Sequence, residues 1–223
     1  MEPFVTYRGK VALLDWSDVN TDLIIPARYL KRIERTGYGP LLFADKRYIT
    51  GGAPEADNPE QGGTPNPEFP LNQAAAKGAT ILVAGRNFGC GSSREHAVWA
   101  VMQGGYRAVI TPGKGEGFAD IFEGNAYNNG LLPIELPEAD WRVIADAARA
   151  NPGKVDVTID LENVVILLHT PDGAEKRFSF DVPESDRNRL LKGLDAIAET
   201  LLRDDAIAAY EKQLPAWTTP RTV

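Results

Sequence analysis

One cysteine and two histidines are all that this 223-residue chain carries of the soft metal ligands. Cys90 stands alone, so no intrachain disulfide can form, and a reducing cytoplasm is the simplest expected location. A structural zinc or an iron–sulfur cluster usually takes three or four Cys or His ligands. Cys90, His96 and His169 are too few and lack ligand spacing. The chain is therefore expected to bind no metal or cofactor of its own, and any cluster must come from another chain. Long apolar runs are missing too. The longest aliphatic run, 164–168, is far below the ~20 residues of a spanning helix. Met1-Glu2-Pro3-Phe4 shows no basic region followed by an apolar stretch, so no secretory signal is expected. Positive charge is in deficit: the formal net charge is −7 and the pI about 5.0. Neither nucleic acid nor an anionic membrane is an expected partner of such a chain. A site for an acidic ligand has to be a local cluster of cations.

What is present fits one globular domain spanning residues 1–223, long enough to bury a sizeable core. Residues 11–14 read as a strand, followed by turn-forming Asp15-Trp16-Ser17-Asp18-Val19-Asn20-Thr21-Asp22. A basic stretch, 28–35, holds Arg28, Lys31, Arg32 and Arg35. Residues 51–70 contain five prolines, four glycines and no Lys or Arg, and read as a long surface loop. Residues 80–84 are a buried strand by their apolar, β-branched character, and a glycine-rich turn follows at 85–91. Helical character over 93–103 ends at Gly104-Gly105, and 107–111 is a second strand. Strand, helix and strand at this spacing predict a parallel crossover. Further on, 118–127 predicts a helix, 131–136 a strand and 139–149 a helix. Residues 155–159 alternate as a half-exposed strand, and 164–169 and 176–180 flank the hairpin signal Thr170-Pro171-Asp172-Gly173. A helical segment at about 187–211 closes the chain.

The chemistry concentrates in Gly85-Arg86-Asn87-Phe88-Gly89-Cys90-Gly91-Ser92-Ser93-Arg94-Glu95-His96. Its glycines let backbone approach a ligand or take positive φ. It leaves a strand and opens a helix, where free N–H groups and the helix dipole favour an anion. Arg94 can add a bidentate grip on a carboxylate. A purely structural role is open as well. Ser92-x-x-Glu95 matches a capping box, which would make Ser92 an N-cap; Ser93 could take that cap instead. His96 could approach Ser92, but no orienting acid is apparent and G-x-S-x-G is absent, which leaves a serine hydrolase weakly supported. No G-K-[ST] or G-x-G-x-x-G pattern supports a nucleotide-binding loop.

Asn87-Phe88-Gly89-Cys90-Gly91-Ser92-Ser93-Arg94-Glu95-His96-Ala97 closely resembles the signature of the small-subunit family of the 3-isopropylmalate dehydratases, relatives of the C-terminal domain of aconitase. Asn20-Thr21-Asp22-Leu23-Ile24-Ile25-Pro26-Ala27-Arg28-Tyr29-Leu30 resembles the family's N-terminal signature. Asn66-Pro67-Glu68-Phe69, Asn129-Gly130-Leu131-Leu132-Pro133-Ile134, Gly193-Leu194-Asp195-Ala196-Ile197 and Ala206-Ile207-Ala208-Ala209-Tyr210-Glu211 also fit, in order along the chain. Glu123 and Ala126 depart from the family's usual Asn and Cys, and the 51–70 loop is richer in Pro and Gly than is usual.

The resemblance implies an α/β fold of the swivelling β/β/α kind, with a parallel crossover and a C-terminal antiparallel hairpin plus helix. It implies a hydro-lyase that isomerises 2-isopropylmalate to 3-isopropylmalate in leucine biosynthesis, by removing and re-adding water. A large subunit partner would carry a [4Fe–4S] cluster, and the substrate would be a dicarboxylate. By the same resemblance Ser92 is the base, and Ser93 and Arg94 bind substrate. Thr21 and Asp22 lie near the site, and Arg28 and Arg32 belong to a mobile loop that selects the side chain. A solvated helix face is the plainer reading of 28–35. A sister hydro-lyase of the methylmalate/citraconate or homoaconitate type, or a non-catalytic anion-binding module, remains an alternative. Energetics add a constraint. A hydroxyl comparable with water ionises far above neutral pH, and a helix terminus supplies at most ~2 kcal/mol towards lowering that. Ser92 therefore needs Arg94, backbone donors and a closed, dry site, so the chain alone should be inactive.

Overall fold

A computed structural model describes residues 1–50 and 63–215 of the chain. Its frame is a seven-stranded mixed sheet in the order β6-β5-β4-β1-β7-β8-β9. The strands are β1 (Thr6–Leu14), β4 (Ile81–Ala84), β5 (Ala108–Pro112), β6 (Leu132–Leu136), β7 (Asp156–Asp160), β8 (Val165–His169) and β9 (Glu175–Ser179). A small antiparallel pair, β2 (Tyr48–Thr50) and β3 (Thr64–Pro65), lies apart from it. Eight α-helices are described: α1 (Thr21–Ile24), α2 (Ala44–Arg47), α3 (Glu95–Gln103), α4 (Asp120–Asn129), α5 (Glu138–Ala150), α6 (Glu184–Lys192), α7 (Ala196–Leu201) and α8 (Asp204–Glu211).

β1 joins two kinds of sheet. Its apolar half, Val11 to Leu14, pairs in parallel with β4, and its polar half, Thr6 to Lys10, pairs antiparallel with β7. The strand is thus longer than the apolar run at 11–14 announces, because Thr6 to Lys10 gain their order from a partner far along the chain. β4, β5 and β6 continue the parallel half, and the expected crossover from β4 through α3 to β5 is present. β8 and β9 form the expected hairpin.

Parallel strands buried on both faces need no alternation, and β4 has none: all four of its residues are buried. Leu82 and Ala84 face one apolar cluster, with Leu14, Phe88, Ala97, Val101 and Phe122. Ile81 and Val83 face the other, with Ile110, Ile134, Trp141 and Ile144. Of the 51–70 stretch, residues 51–62 lie outside the described residues. Where it returns, the Asn72 amide donates to the carbonyls of Arg47 and Asn66, and Phe69 is buried between Trp16 and Phe43. The C-terminal 187–211 segment is not one helix but parts of three. Gly193 ends α6 at φ 66°, where its carbonyl accepts from the Met1 amino group at 3.0 Å, and Asp195 caps α7 by accepting from the Ala198 N–H. No helix among the described residues is long and apolar enough to cross a membrane.

Candidate active-site cleft

Two neighbouring parallel strands, β1 and β4, end on the same side of the sheet, so the loops that leave them meet there. The loop after β1 carries Asn20, Thr21 and Asp22, and the loop after β4 is the glycine-rich turn. The turn is wound by three left-handed residues at alternate positions: Asn87 (φ 57°), Gly89 (φ 79°) and Gly91 (φ 92°). Gly89 is doubly constrained, since a Cβ there would lie 2.2 Å from the Phe122 ring. Asn87 tolerates its conformation with its side-chain amide donating to Asp18 at 2.7 Å.

The two loops are stitched together. The Thr21 N–H donates to the Cys90 carbonyl at 2.8 Å. The buried Thr21 hydroxyl donates to the Ser92 carbonyl at 2.8 Å and lies 3.4 Å from the Ser92 hydroxyl. Because the Thr21 proton is committed to that carbonyl, the Ser92 hydroxyl is left to donate to Thr21. Arg94 grips Asp22 through both terminal nitrogens, at 2.5 and 2.9 Å, and also donates to the Ile25 carbonyl. Asn20 caps α1 by accepting from the Leu23 N–H, which fixes Thr21 and Asp22 on its first turn.

The capping-box expectation is corrected by these contacts. α3 starts at Glu95, its N-cap position is Arg94 in extended conformation, and no side chain caps it. Ser92 and Ser93 lie before the helix, and neither caps it. Glu95 instead accepts from Asn129 on α4. Among the described residues the N–H groups of Ser92, Ser93 and Arg94 have no backbone acceptor, as an anion site requires. His96 turns away from Ser92 and packs its ring against Tyr38 and Trp99, so no serine–histidine pair exists here. Burial, aided by the negative charge of Asp18, pushes the Cys90 thiol up and keeps it protonated.

A third segment closes the cleft, and sequence reasoning missed it. Glu135 of β6 accepts the N–H groups of Gly115, Gly117 and Phe118. That braces the loop after β5. Asn87 and Phe88 donate to the Glu116 and Gly117 carbonyls, and Ala119 donates back to Phe88. The start of α4 is thereby laid beside the glycine turn. A carboxylate inside the otherwise apolar 131–136 run is the signal that could have pointed to it. The resulting cleft, about 200 Å³, is lined by Thr21, Gly89, Gly91, Ser92, Ser93, Arg94 and residues 119–122.

Of the expected site residues, Thr21, Asp22, Ser92, Ser93 and Arg94 are therefore brought together. Arg28 and Arg32 do not line the cleft. Arg28 lies on a 3-10 turn, ion-paired to Asp45, which stabilises its charged form; Arg32 lies over the Tyr38 ring. The departures Glu123 and Ala126 are also outside it. Glu123 is half-buried against Tyr127, and Ala126 is in the core.

The fold defines a class: an aconitase-type C-terminal domain. The family model for the aconitase C-terminal domain matches residues 1–139. The 3-isopropylmalate dehydratase small subunit of Shewanella amazonensis is 49% identical over 217 residues, 97% of this chain and 99% of that protein. That of Methylibium petroleiphilum is 49% identical over 213 residues, 96% of this chain and 94% of the relative. A solved 3-isopropylmalate dehydratase from Methanocaldococcus jannaschii superposes with a TM-score of 0.59 at 27% identity, covering 93% of this chain and 99% of that one. This chain belongs to the family of 3-isopropylmalate dehydratase small subunits within the aconitase superfamily.

Proposed function

We propose that this chain is the proton-transferring half of a 3-isopropylmalate dehydratase, a hydro-lyase that interconverts 2- and 3-isopropylmalate in leucine biosynthesis. The observation that carries the reading is the Thr21/Asp22 clamp, which sets a non-capping Ser92 hydroxyl beside Arg94 in one cleft. Arg94 and the free N–H groups at the start of α3 bind a substrate carboxylate. The Ser92 oxygen takes a proton from carbon as hydroxide leaves the neighbouring carbon. Water then adds back the other way round, and Ser92 returns the proton to the carbon it did not deprotonate. Ser93 and Arg94 hold the serine oxyanion and the substrate. The chain has no ligand set for a [4Fe–4S] cluster, with one cysteine in all, so that group is assigned to a large partner subunit. A cytoplasmic location fits a chain whose single cysteine can form no intrachain disulfide.

A reconstituted Ser92→Ala enzyme tests this. Turnover is expected to fall by at least ~10³-fold, since a base that touches the reacting carbon is lost. Assembly and folding should be unchanged, because Ser92 is exposed in the lone chain. A near wild-type kcat would leave the cleft an anion-binding module and nothing more. The sister hydro-lyases are separated by comparing kcat/KM on 2-isopropylmalate, citramalate and homocitrate. The segment carrying Arg28 and Arg32 has its own test. Charge reversal at either should raise KM if the segment closes over substrate, and an unchanged KM removes both from binding.

A further inference from the structure

The cleft has two chemically distinct walls. Thr21, Ser92, Ser93 and Arg94 form a polar one, and Ala119, Ile121 and Phe122 at the start of α4 form an apolar one. Phe122 is buried and serves packing, filling the space above Gly89. Ile121 does not. It is 55% exposed, and among the described residues it is the one exposed large aliphatic side chain that lines the cleft. Its position is fixed from three directions, by the Glu135 brace, by the Phe88–Ala119 backbone bonds and by the helix it opens. Beside it Asp120, exposed and without an ion pair among the described residues, places negative charge at the same wall.

We infer that Ile121 is a specificity-determining residue: it receives the branched alkyl substituent of the substrate, with Asp120 disfavouring a carboxylate at that place. The inference deepens the dehydratase reading and rests on it. Within this chain, the wall open to the third substituent of a dicarboxylate held by Arg94 is the apolar one. Removing the exposed Ile121 surface from water against an isopropyl group adds binding that a methyl group realises only in part.

The test uses the full complex with its cluster-bearing subunit. Wild type, Ile121→Ala and Ile121→Thr are each assayed on 2-isopropylmalate and on the methyl-substituted analogue, citramalate. The readout is the ratio of the two kcat/KM values, which cancels any loss of folded or assembled enzyme. The ratio is expected to fall about tenfold in Ile121→Ala and by less in Ile121→Thr, which keeps the branched shape. A ratio within twofold of wild type in both variants overturns the assignment. It does so also if partner titration shows weakened assembly, because Ile121 would then be an interface contact. Wild-type complex that turns over neither substrate defeats the parent reading and this inference together. Turnover with an unmoved ratio defeats only the inference.

Discussion

Arg94 reaches the cleft already held by a carboxylate. Its side chain is 13% exposed while that of Asp22 is 57% exposed, so the anchor sits on the outside and the cation within. On the proposed function a substrate carboxylate would meet an arginine whose plane is fixed beforehand, which lowers the ordering cost of the contact. Asp22→Asn should therefore raise KM on the order of tenfold and leave kcat nearer to wild type, as steady-state kinetics of the assembled enzyme would show. A different carboxylate is a liability. Desolvation first, and then the charge of Glu135, raise the Glu123 pKa above its ordinary 4.5, against a weak opposing bond from Tyr127. A carboxylate with a raised folded-state pKa is most stabilising below the unfolded value and loses that contribution as pH rises through the folded one. Glu123→Gln keeps the acceptor for Tyr127 and removes the charge. It should raise Tm at pH 7 by about 2 °C, with the gain vanishing below about pH 4.5. An equal gain at both pH values would point to packing instead.

Among the elements, the β4–turn–α3–β5 unit was legible because its information is local: an apolar run, glycines and a Gly-Gly stop. The start of α3 was not, although the capping-box pattern is local too. Thr21 and Asp22 tie residues 92–94 to α1, with Arg94 left extended at the helix start, through contacts more than seventy positions apart, and no window on the sequence contains both partners. The same holds for β1, whose polar half is a strand only because β7 pairs with it. The C-terminal break, by contrast, is local: a left-handed Gly193 ends α6 and Asp195 caps α7, while Met1 adds one bond to the Gly193 carbonyl from the other end of the chain. Resemblance, not periodicity, pointed to Thr21 and Asp22, and neither pointed to the α4 start. That element rests on Gly89. Gly89→Ala combines a disfavoured φ with a 2.2 Å clash against Phe122. It should cost about 2–4 kcal/mol, read as a lower urea midpoint with unchanged slope, and displace the α4 start enough to raise KM.

For the whole molecule, the proposed function makes the cleft a half-site in three respects. Ser92 and Ser93 are exposed to water. Among the described residues Arg94 is the one cation in the cleft lining, and Asp120 adds negative charge to the same cleft. The chain as a whole carries −7, so a dianionic substrate approaches against the long-range field. Among the described residues, then, the lining holds one cation to favour a serine oxyanion, Arg94, and it is itself paired with Asp22. For Ser92 to act as the proposed base, a second surface has to expel water and bring net positive charge. The isolated chain is expected to bind 2-isopropylmalate more weakly than ~1 mM by calorimetry, with no formation of unsaturated acid by ultraviolet absorbance. Adding the cluster-bearing subunit should restore turnover, saturably in that subunit. Micromolar binding, or any steady turnover, by the chain alone would show that the cleft is complete as it stands and that closure by a partner is not what activates Ser92.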